Sequence, residues 1–269
     1  MYLMQNWFNL SDEGIEDAIY DSYAMRNFLG INLIDDQVPD AATFLKFRHL
    51  LEKNHIGRKI FEDVKERLDK TALMMHGGSI VDATIISAPS STKNKERKRE
   101  PEMHQTKKGR QYYHGMKVHV SADAGSGYVH AITGTVANIH DITETEKLLR
   151  EDDIVCCGDS GYSGAEKRDE IRNSRHLSSI EFRRNVKFSQ LRISDKYQGF
   201  NWDKEIEKRK SSVRSKIEHL FLIVKGQFGY ARVVYRGIAK NMNRFHILFA
   251  SANLVKCISA GRTKDFCMV

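Results

Sequence analysis

Cysteines are few in this sequence, and no pattern joins them into a site. The four, Cys156, Cys157, Cys257 and Cys267, include no C-x-x-C pair, which argues against a structural zinc site and favours a reducing cytosol. The first residues lack a basic stretch followed by an apolar core, so no secretory leader is predicted. The apolar run FHILFASANLV near the C-terminus is too short to span a bilayer. We therefore expect a cytoplasmic protein with no membrane partner.

Glycine-rich nucleotide motifs are also absent. There is no G-x-G-x-x-G or P-loop pattern, so Gly158 and Gly161 are predicted to permit a tight turn and not to hold a phosphate. Hydrophobic residues make up 41% of the chain and charged residues 29%, which is typical of a globular protein and excludes a disordered one. Lys and Arg outnumber Asp and Glu by 43 to 35. This surplus favours a polyanionic partner, most often nucleic acid.

The pattern along the chain changes once, from helical to strand-like. Residues 1–75 predict a small helical region, and residues 76–269 predict a second region that begins with strands. In the second region, IVDATII predicts a strand, and the following pattern predicts a hairpin that turns at AGSG, with Met116, Val118 and Val120 on one face. Further elements are a strand in DIVCCGD ending at Asp159, a strand in LSSIEFRR, and helices over about 142–150, 165–175, 203–225 and NMNRFHILFASANLVKCI. This order predicts an α/β fold with a mixed sheet flanked by helices.

Two acids occupy unusual positions in predicted strands. Asp82 lies in the middle of IVDATII, where an ionised carboxylate costs several kcal/mol unless a cation or hydrogen bonds compensate it. Asp159 ends the strand DIVCCGD, at a place where functional side chains of such sheets often stand. Hydrogen bonding alone is an alternative for Asp82, and capping of the following turn is an alternative for Asp159.

A third acid belongs to the long helix. At about 100° per residue, Arg214, Glu218 and Lys225 form a charged stripe along the edge of its apolar face. A salt-bridged surface helix would explain the stripe, and so would a functional groove. If Asp82, Asp159 and Glu218 converge, they form an oxygen-rich site that suits Mg²⁺ or Mn²⁺. Two such ions can activate a nucleophile and stabilise the leaving oxygen of a phosphodiester.

Ordered blocks along most of the chain resemble one known family. They are PDAATFLKFRHLLEKN, VDATIISAPSSTKN, MHQTKKG, GMKVHV, ANIHD, GDSGYSG, KIEHLF and YRGIAKN. With these blocks the chain resembles DDE-type transposases of bacterial insertion sequences, in the group named after insertion sequence five. The related larger group carries a Y-(2)-R-(3)-E-(6)-K signature, which Arg214, Glu218 and Lys225 match, whereas Ser211 stands at the tyrosine position.

The resemblance implies a fold, an activity and a set of site residues. It implies an RNase H-like catalytic domain over 76–269, with Asp82, Asp159 and Glu218 as the catalytic, metal-holding acids. It also implies Mg²⁺-dependent nicking of the element's ends and joining of the freed 3′-hydroxyl to target DNA, by a homo-oligomer at the nucleoid. Family members usually carry more residues ahead of FNLSDEG, so we expect the helical region over 1–75 to be incomplete.

Several cations are candidates for holding DNA phosphates. Arg214 and Lys225 would support the acid site. Lys107, Lys108 and Arg110 lie in a basic segment after the Asp82 strand, predicted as a flexible loop that either contacts DNA or is only solvated, and Arg236 and Lys240 are further candidates. Two alternatives remain for the whole chain. One is a truncated, inactive DNA-binding remnant, and the other is an RNase H-like nuclease without strand transfer.

Overall fold

The computed structural model describes residues 1–93, 95, 97–184 and 202–267. The N-terminal region is helical, as predicted. Its helices are α1 (Tyr2–Phe8), α2 (Asp12–Asp21), α3 (Tyr23–Leu29), α4 (Ala41–Lys53) and α5 (Ile56–Lys70). Capping by short polar side chains explains where three of them begin, because Ser11, Ser22 and Asp40 each accept a hydrogen bond from a backbone N–H of the first turn.

A mixed sheet forms the centre of the remaining chain. Its strands in the described ranges are β1 (Gly78–Ser87), β2 (His104–Lys108), β3 (Gln111–Asp123), β4 (Val129–Val136), β5 (Val155–Gly158) and β6 (Glu181–Arg184). The order is β2-β3-β1-β5-β6, and β4 also pairs with β3. Strand β3 is antiparallel to its three neighbours, β1, β2 and β4, whereas β5 is parallel to β1 and β6 is parallel to β5. The predicted mixed sheet is confirmed, and it is compatible with an RNase H-like fold.

Helices follow and flank the sheet. They are α6 (Thr145–Leu148), α7 (Asp169–Arg172), α8 (Trp202–Leu222), α9 (Ile238–Ser259) and α10 (Thr263–Cys267). A π-helical turn, Ile223–Gln227, continues α8. No helix in the described ranges is long and apolar enough to cross a membrane.

The centre of the sheet is covered on both faces. Ile80, Val118 and Val120 belong to the large core that includes residues of α5, α8 and α9. Val81 and Cys156 face the opposite side and join a smaller core. Because β1 is covered on both faces, an aspartate in this strand is held in an environment of restricted water access.

Three predicted elements differ from the structure. The helix predicted over 142–150 is a 3₁₀ turn followed by the four residues of α6, and the helix over 165–175 is divided, because Arg168 adopts an extended conformation before α7. These segments are too short for helix propagation to offset nucleation. The basic segment after β1 is not wholly a loop, since β2 pairs with β3 from His104 opposite Gly115 to Lys108 opposite Gln111. A lysine-rich sequence is compatible with such an edge strand.

A buried polar network anchors the beginning of β1. The Ser79 hydroxyl donates a 2.5 Å hydrogen bond to Asp153 and lies 2.9 Å from Nε2 of His130. Arg150 joins Asp153 to Asp123, with Nη2 at 3.2 Å from a carboxylate oxygen of each. Burial lowers the pKa of His130 to about 3, so its ring is neutral in the fold. This network fixes the position of β1 three residues before Asp82.

Candidate active site

Asp82 is the central acid of the site and lies on the central strand. It pairs across the ladder with Val120 of β3. Its Oδ1 accepts a hydrogen bond of 2.7 Å from the backbone N–H of Ala83, and its side chain is 18% exposed. Burial raises the pKa of Asp82 to about 6, and the neighbouring carboxylate of Asp159 also raises it, while Ala83 and Arg214 oppose the shift. Hydrogen bonding alone, the alternative considered for Asp82, is therefore only part of the explanation, because one hydrogen bond does not compensate the buried charge.

Asp159 approaches Asp82 because β5 ends beside β1. Cys157 of β5 pairs with Ile80 of β1, so the chain beyond Gly158 passes the part of β1 that holds Asp82. Oδ1 of Asp159 accepts a 2.7 Å hydrogen bond from the N–H of Gly161, which caps the short 3₁₀ turn that follows. Asp159 therefore caps this turn, as the alternative in the sequence analysis stated, and its second carboxylate oxygen remains available for other contacts. Asp159 is placed both to cap a turn and to act on Asp82.

Helix α8 carries the third acid, Glu218, and also Arg214, whose guanidinium lies near both Glu218 and Asp82. Arg214 Nη2 lies 3.9 Å from Oδ2 of Asp82 and 3.7 Å from Oε1 of Glu218. The Arg214 side chain is 20% exposed, whereas that of Glu218 is 61% exposed. The guanidinium therefore stands between the two acids, at distances of electrostatic contact and not of hydrogen bonding.

Two lysines, Lys225 and Lys108, also belong to the surroundings of β1 and Asp82. Lys225 Nζ donates a 2.9 Å hydrogen bond to the carbonyl oxygen of Ile85. Burial lowers the pKa of Lys225, and the nearby charge of Lys108 lowers it further. Lys108 also acts to lower the pKa of Asp82, so Lys108 lies within electrostatic reach of both Asp82 and Lys225. Lys225 belongs to the π-helical turn, a rare geometry that often occurs at functional sites.

Family models match both parts of the chain. Residues 74–254 match the family described as Transposase DDE domain, and residues 1–50 match the family described as Transposase domain (DUF772). The first match covers more than half of the chain. The chain belongs to the DDE transposase family. No solved structure matches it.

Membership makes this protein a metal-dependent enzyme that acts on DNA as a transposase. It also implies the use of a divalent metal ion. The oxygen donors Asp82 and Asp159 suit such an ion, and the raised pKa of Asp82 records a buried negative charge that a cation would offset. In the described part of the chain, no three Asp, Glu, His or Cys side chains lie close enough to hold a metal together. The Glu218 side chain contacts Arg214 instead.

The transposase also contains a buried tyrosine that the sequence did not single out as a site residue. Tyr162 is 1% exposed, and its hydroxyl has no hydrogen-bond partner among the described residues. Burial raises its pKa, and the charges of Asp141, Asp82 and Asp159 add to this effect. The hydroxyl therefore stays protonated next to three carboxylates. Its signal in the sequence is its place in GDSGYSG, three residues after Asp159.

The remaining predicted cations divide into two groups. Lys107 and Arg110 are exposed on the β2–β3 hairpin that carries Lys108. Arg236 and Lys240 each line a different open cavity, and neither cavity includes one of the three acids in its wall. The structure thus brings Asp159, Arg214 and Lys108 within electrostatic reach of Asp82, while Glu218 contacts Arg214 and Lys225 contacts Ile85. Arg236 and Lys240 lie in the walls of other cavities.

Proposed function

We propose that this transposase nicks the ends of its insertion sequence and joins the freed 3′-hydroxyl to target DNA, with Asp82, Asp159 and Glu218 as the catalytic acids. One observation carries the proposal. Asp82, the acid of the central strand, has a pKa raised to about 6 beside Asp159 and faces Arg214 of the helix that carries Glu218. Perturbed carboxyls of this kind cluster at catalytic sites.

Two divalent ions, Mg²⁺ or Mn²⁺, would supply activation of the attacking oxygen and stabilisation of the leaving oxygen. Asp82 and Asp159 would hold these ions from two strands whose positions the sheet fixes, and Glu218 would complete the set from α8. A rigid strand suits this role, because the donors must be held within about 0.5 Å of the productive geometry.

The cations around the acids would bind the DNA backbone. Lys225 Nζ is held by the carbonyl of Ile85, and Arg214 Nη2 lies 3.9 Å from Asp82. Lys108 lies within electrostatic reach of Asp82. Such contacts position phosphates without reading sequence. Lys107 and Arg110 would extend this contact along the exposed hairpin, and Arg236 would contribute farther from the acids.

Two further features belong to the proposal. The chain would divide into a helical region over 1–75 and a catalytic domain over 76–269. An active assembly would contain more than one copy, since two element ends must be cut and joined, and it would work on the DNA of the bacterial nucleoid in the cytoplasm.

The test uses the full chain and the inverted repeats that flank its gene. We expect Mg²⁺-dependent nicking at the repeats by the wild type, and a loss of at least about 10³-fold for Asp82→Asn, which keeps the acceptor for Ala83 but removes the charge. Asp63→Asn is the matched control, because Asp63 is 63% exposed on α5 and far in sequence from the site.

The products separate the alternatives. Covalent joining of element ends to a target plasmid supports strand transfer, whereas nicking without joined products would indicate a nuclease. Binding of DNA with no nicking under any metal condition would indicate an inactive remnant. Equal nicking by the wild type and Asp82→Asn would refute the assignment of the acids.

A further inference from the structure

An open cavity of about 500 Å³ lies between α4, α5 and α9, and we name it the α4–α9 cavity. Each of the three helices contributes one cation to its wall, namely Lys53, Arg58 and Lys240. None of these three side chains makes a hydrogen bond or an ion pair with another described residue. Unpaired cations from three separate helices therefore surround one open space.

Three histidines and a single acid also belong to this wall. His49, His55 and His246 also line the cavity. Burial lowers the pKa of His246, and the charge of Arg58 acts in the same direction. Glu52 is the one lining acid, and its Oε1 lies 3.7 Å from Nε of Arg48, which offsets its charge. The net potential in the cavity is positive.

The cavity continues a line of cations that begins at the acid site. At the end of β1, Ser87 forms an isolated β-bridge with Arg232, which lies in the segment after α8. A second cavity follows there, lined by Lys93, Arg99 and Arg236 among others. Lys240, in the first turn of α9, follows Arg236 by four residues along the chain. Since β1 rises by about 3.3 Å per residue, Ser87 is already about 17 Å from Asp82, so the α4–α9 cavity lies well outside the acid site.

The adjacent N-terminal surface has the opposite charge. Residues 1–40 contain eight acids and one cation, Arg26, a net charge of −7, whereas the whole chain carries +8. The eight acids are Asp12, Glu13, Glu16, Asp17, Asp21, Asp35, Asp36 and Asp40. A polyanion is repelled from this part of the surface and attracted to the line of cations that ends in the α4–α9 cavity.

We propose that the α4–α9 cavity binds backbone phosphates of the element-end duplex, outside the base pairs that occupy the acid site, through Lys53, Arg58 and Lys240. This inference rests on the proposed function only in taking duplex DNA as the ligand. The contact is sequence-independent, and its physical signature is the release of condensed counterions.

The test is the salt dependence of DNA binding. The variant Lys53→Gln with Arg58→Gln, in the full chain, is compared with the wild type on a duplex of about three helical turns, roughly 30 bp. We expect the slope of log Kd against log salt to fall by about 1 to 2, because each lost phosphate contact contributes about 0.9. The control, Lys59→Gln with Lys264→Gln, removes two exposed charges that do not line the cavity and should keep the wild-type slope. Equal slopes in the cavity variant and the control would overturn the proposal.

A charge-preserving variant and the kinetics complete the experiment. Lys53→Arg with Arg58→Lys should restore the slope, which a folding defect would not explain. In nicking, the cavity variant should raise KM by about tenfold with kcat unchanged, as expected for binding remote from the reacting atoms. A lowered kcat at unchanged KM would count against the inference. If no protein nicks DNA but the slope still falls, the cavity proposal stands and the proposed function fails.

Discussion

Asp82→Asn should stabilise the protein in the absence of metal, although it destroys the proposed catalysis. Burial and Asp159 raise the pKa of Asp82 to about 6, about 2 pH units above the value of an unfolded aspartate, near 3.9. The fold therefore penalises the ionised carboxylate. The asparagine keeps the acceptor for the Ala83 N–H, so the substitution removes the charge and retains the hydrogen bond.

The sign and size of the effect follow from linkage. Below about pH 4 the carboxyl is protonated in both states, and the penalty is absent; it grows as pH rises from about 4 to 6 and is complete above that. At about 1.4 kcal/mol per pH unit, the difference amounts to about 3 kcal/mol at most. Because the side chain is only 18% exposed, most of this penalty should persist in water. The gain in the free energy of unfolding for Asp82→Asn should thus appear only above about pH 4.

Urea unfolding of both proteins with a chelator, at intervals between about pH 4 and 8, measures this difference. Added Mg²⁺ should then stabilise the wild type more than the variant, because only the wild type offers the ionised Asp82 to the metal. Asp63→Asn should change the free energy of unfolding by less than about 0.5 kcal/mol throughout, as surface substitutions do. A pH-independent difference for Asp82→Asn, or a variant less stable at pH 8, would refute the reasoning.

Three further predictions concern the site and its support. Lys225→Met keeps the apolar stem but loses the cation held at Ile85, so the nicking rate should fall by at least about tenfold while urea unfolding changes by less than about 1 kcal/mol. In Gly115→Ala the new methyl would lie 2.0 Å from the carbonyl oxygen of Ile86 on the paired strand, so thermal unfolding should show a loss of about 3 kcal/mol or more; wild-type stability would contradict this packing. Asn253→Leu removes the two hydrogen bonds, of 2.8 and 2.9 Å, that this buried amide makes to the first residue of β4, and denaturant unfolding should show a loss of about 2–4 kcal/mol. A loss under 0.5 kcal/mol would show that water replaces the amide.

The sequence predicted the parts of the fold that depend on local pattern. The β-branched composition of β1, the alternation in β3 and the apolar spacing of α5, α8 and α9 are visible over a few residues, and these elements were confirmed. The short helices near Thr145 and Asp169 were wrong in length, and β2 was missed. Strand β2 has an exposed, lysine-rich sequence, and only its pairing with β3 makes it a strand.

The candidate site also contains some residues that the sequence marked and some contacts that only the fold creates. A carboxylate inside an apolar strand marked Asp82 from sequence, and the family blocks marked Asp159 and Glu218. The burial of Tyr162 near Asp82 and Asp141 had no such signal, because these two carboxylates come from other parts of the chain. The same holds for Lys225, whose contact with Ile85 joins residues 140 positions apart.

The sequence alone determined that Asp82 would sit in a buried strand and need compensation, because alternation and composition are local properties. It also determined the family, through ordered blocks that no other reading explains as well. The tertiary structure decided that Arg214 stands between Asp82 and Glu218, and that Lys53, Arg58 and Lys240 line one cavity. Charges separated by many residues act on each other only through the distances that folding creates, since their interaction depends on separation in space and on the surrounding dielectric.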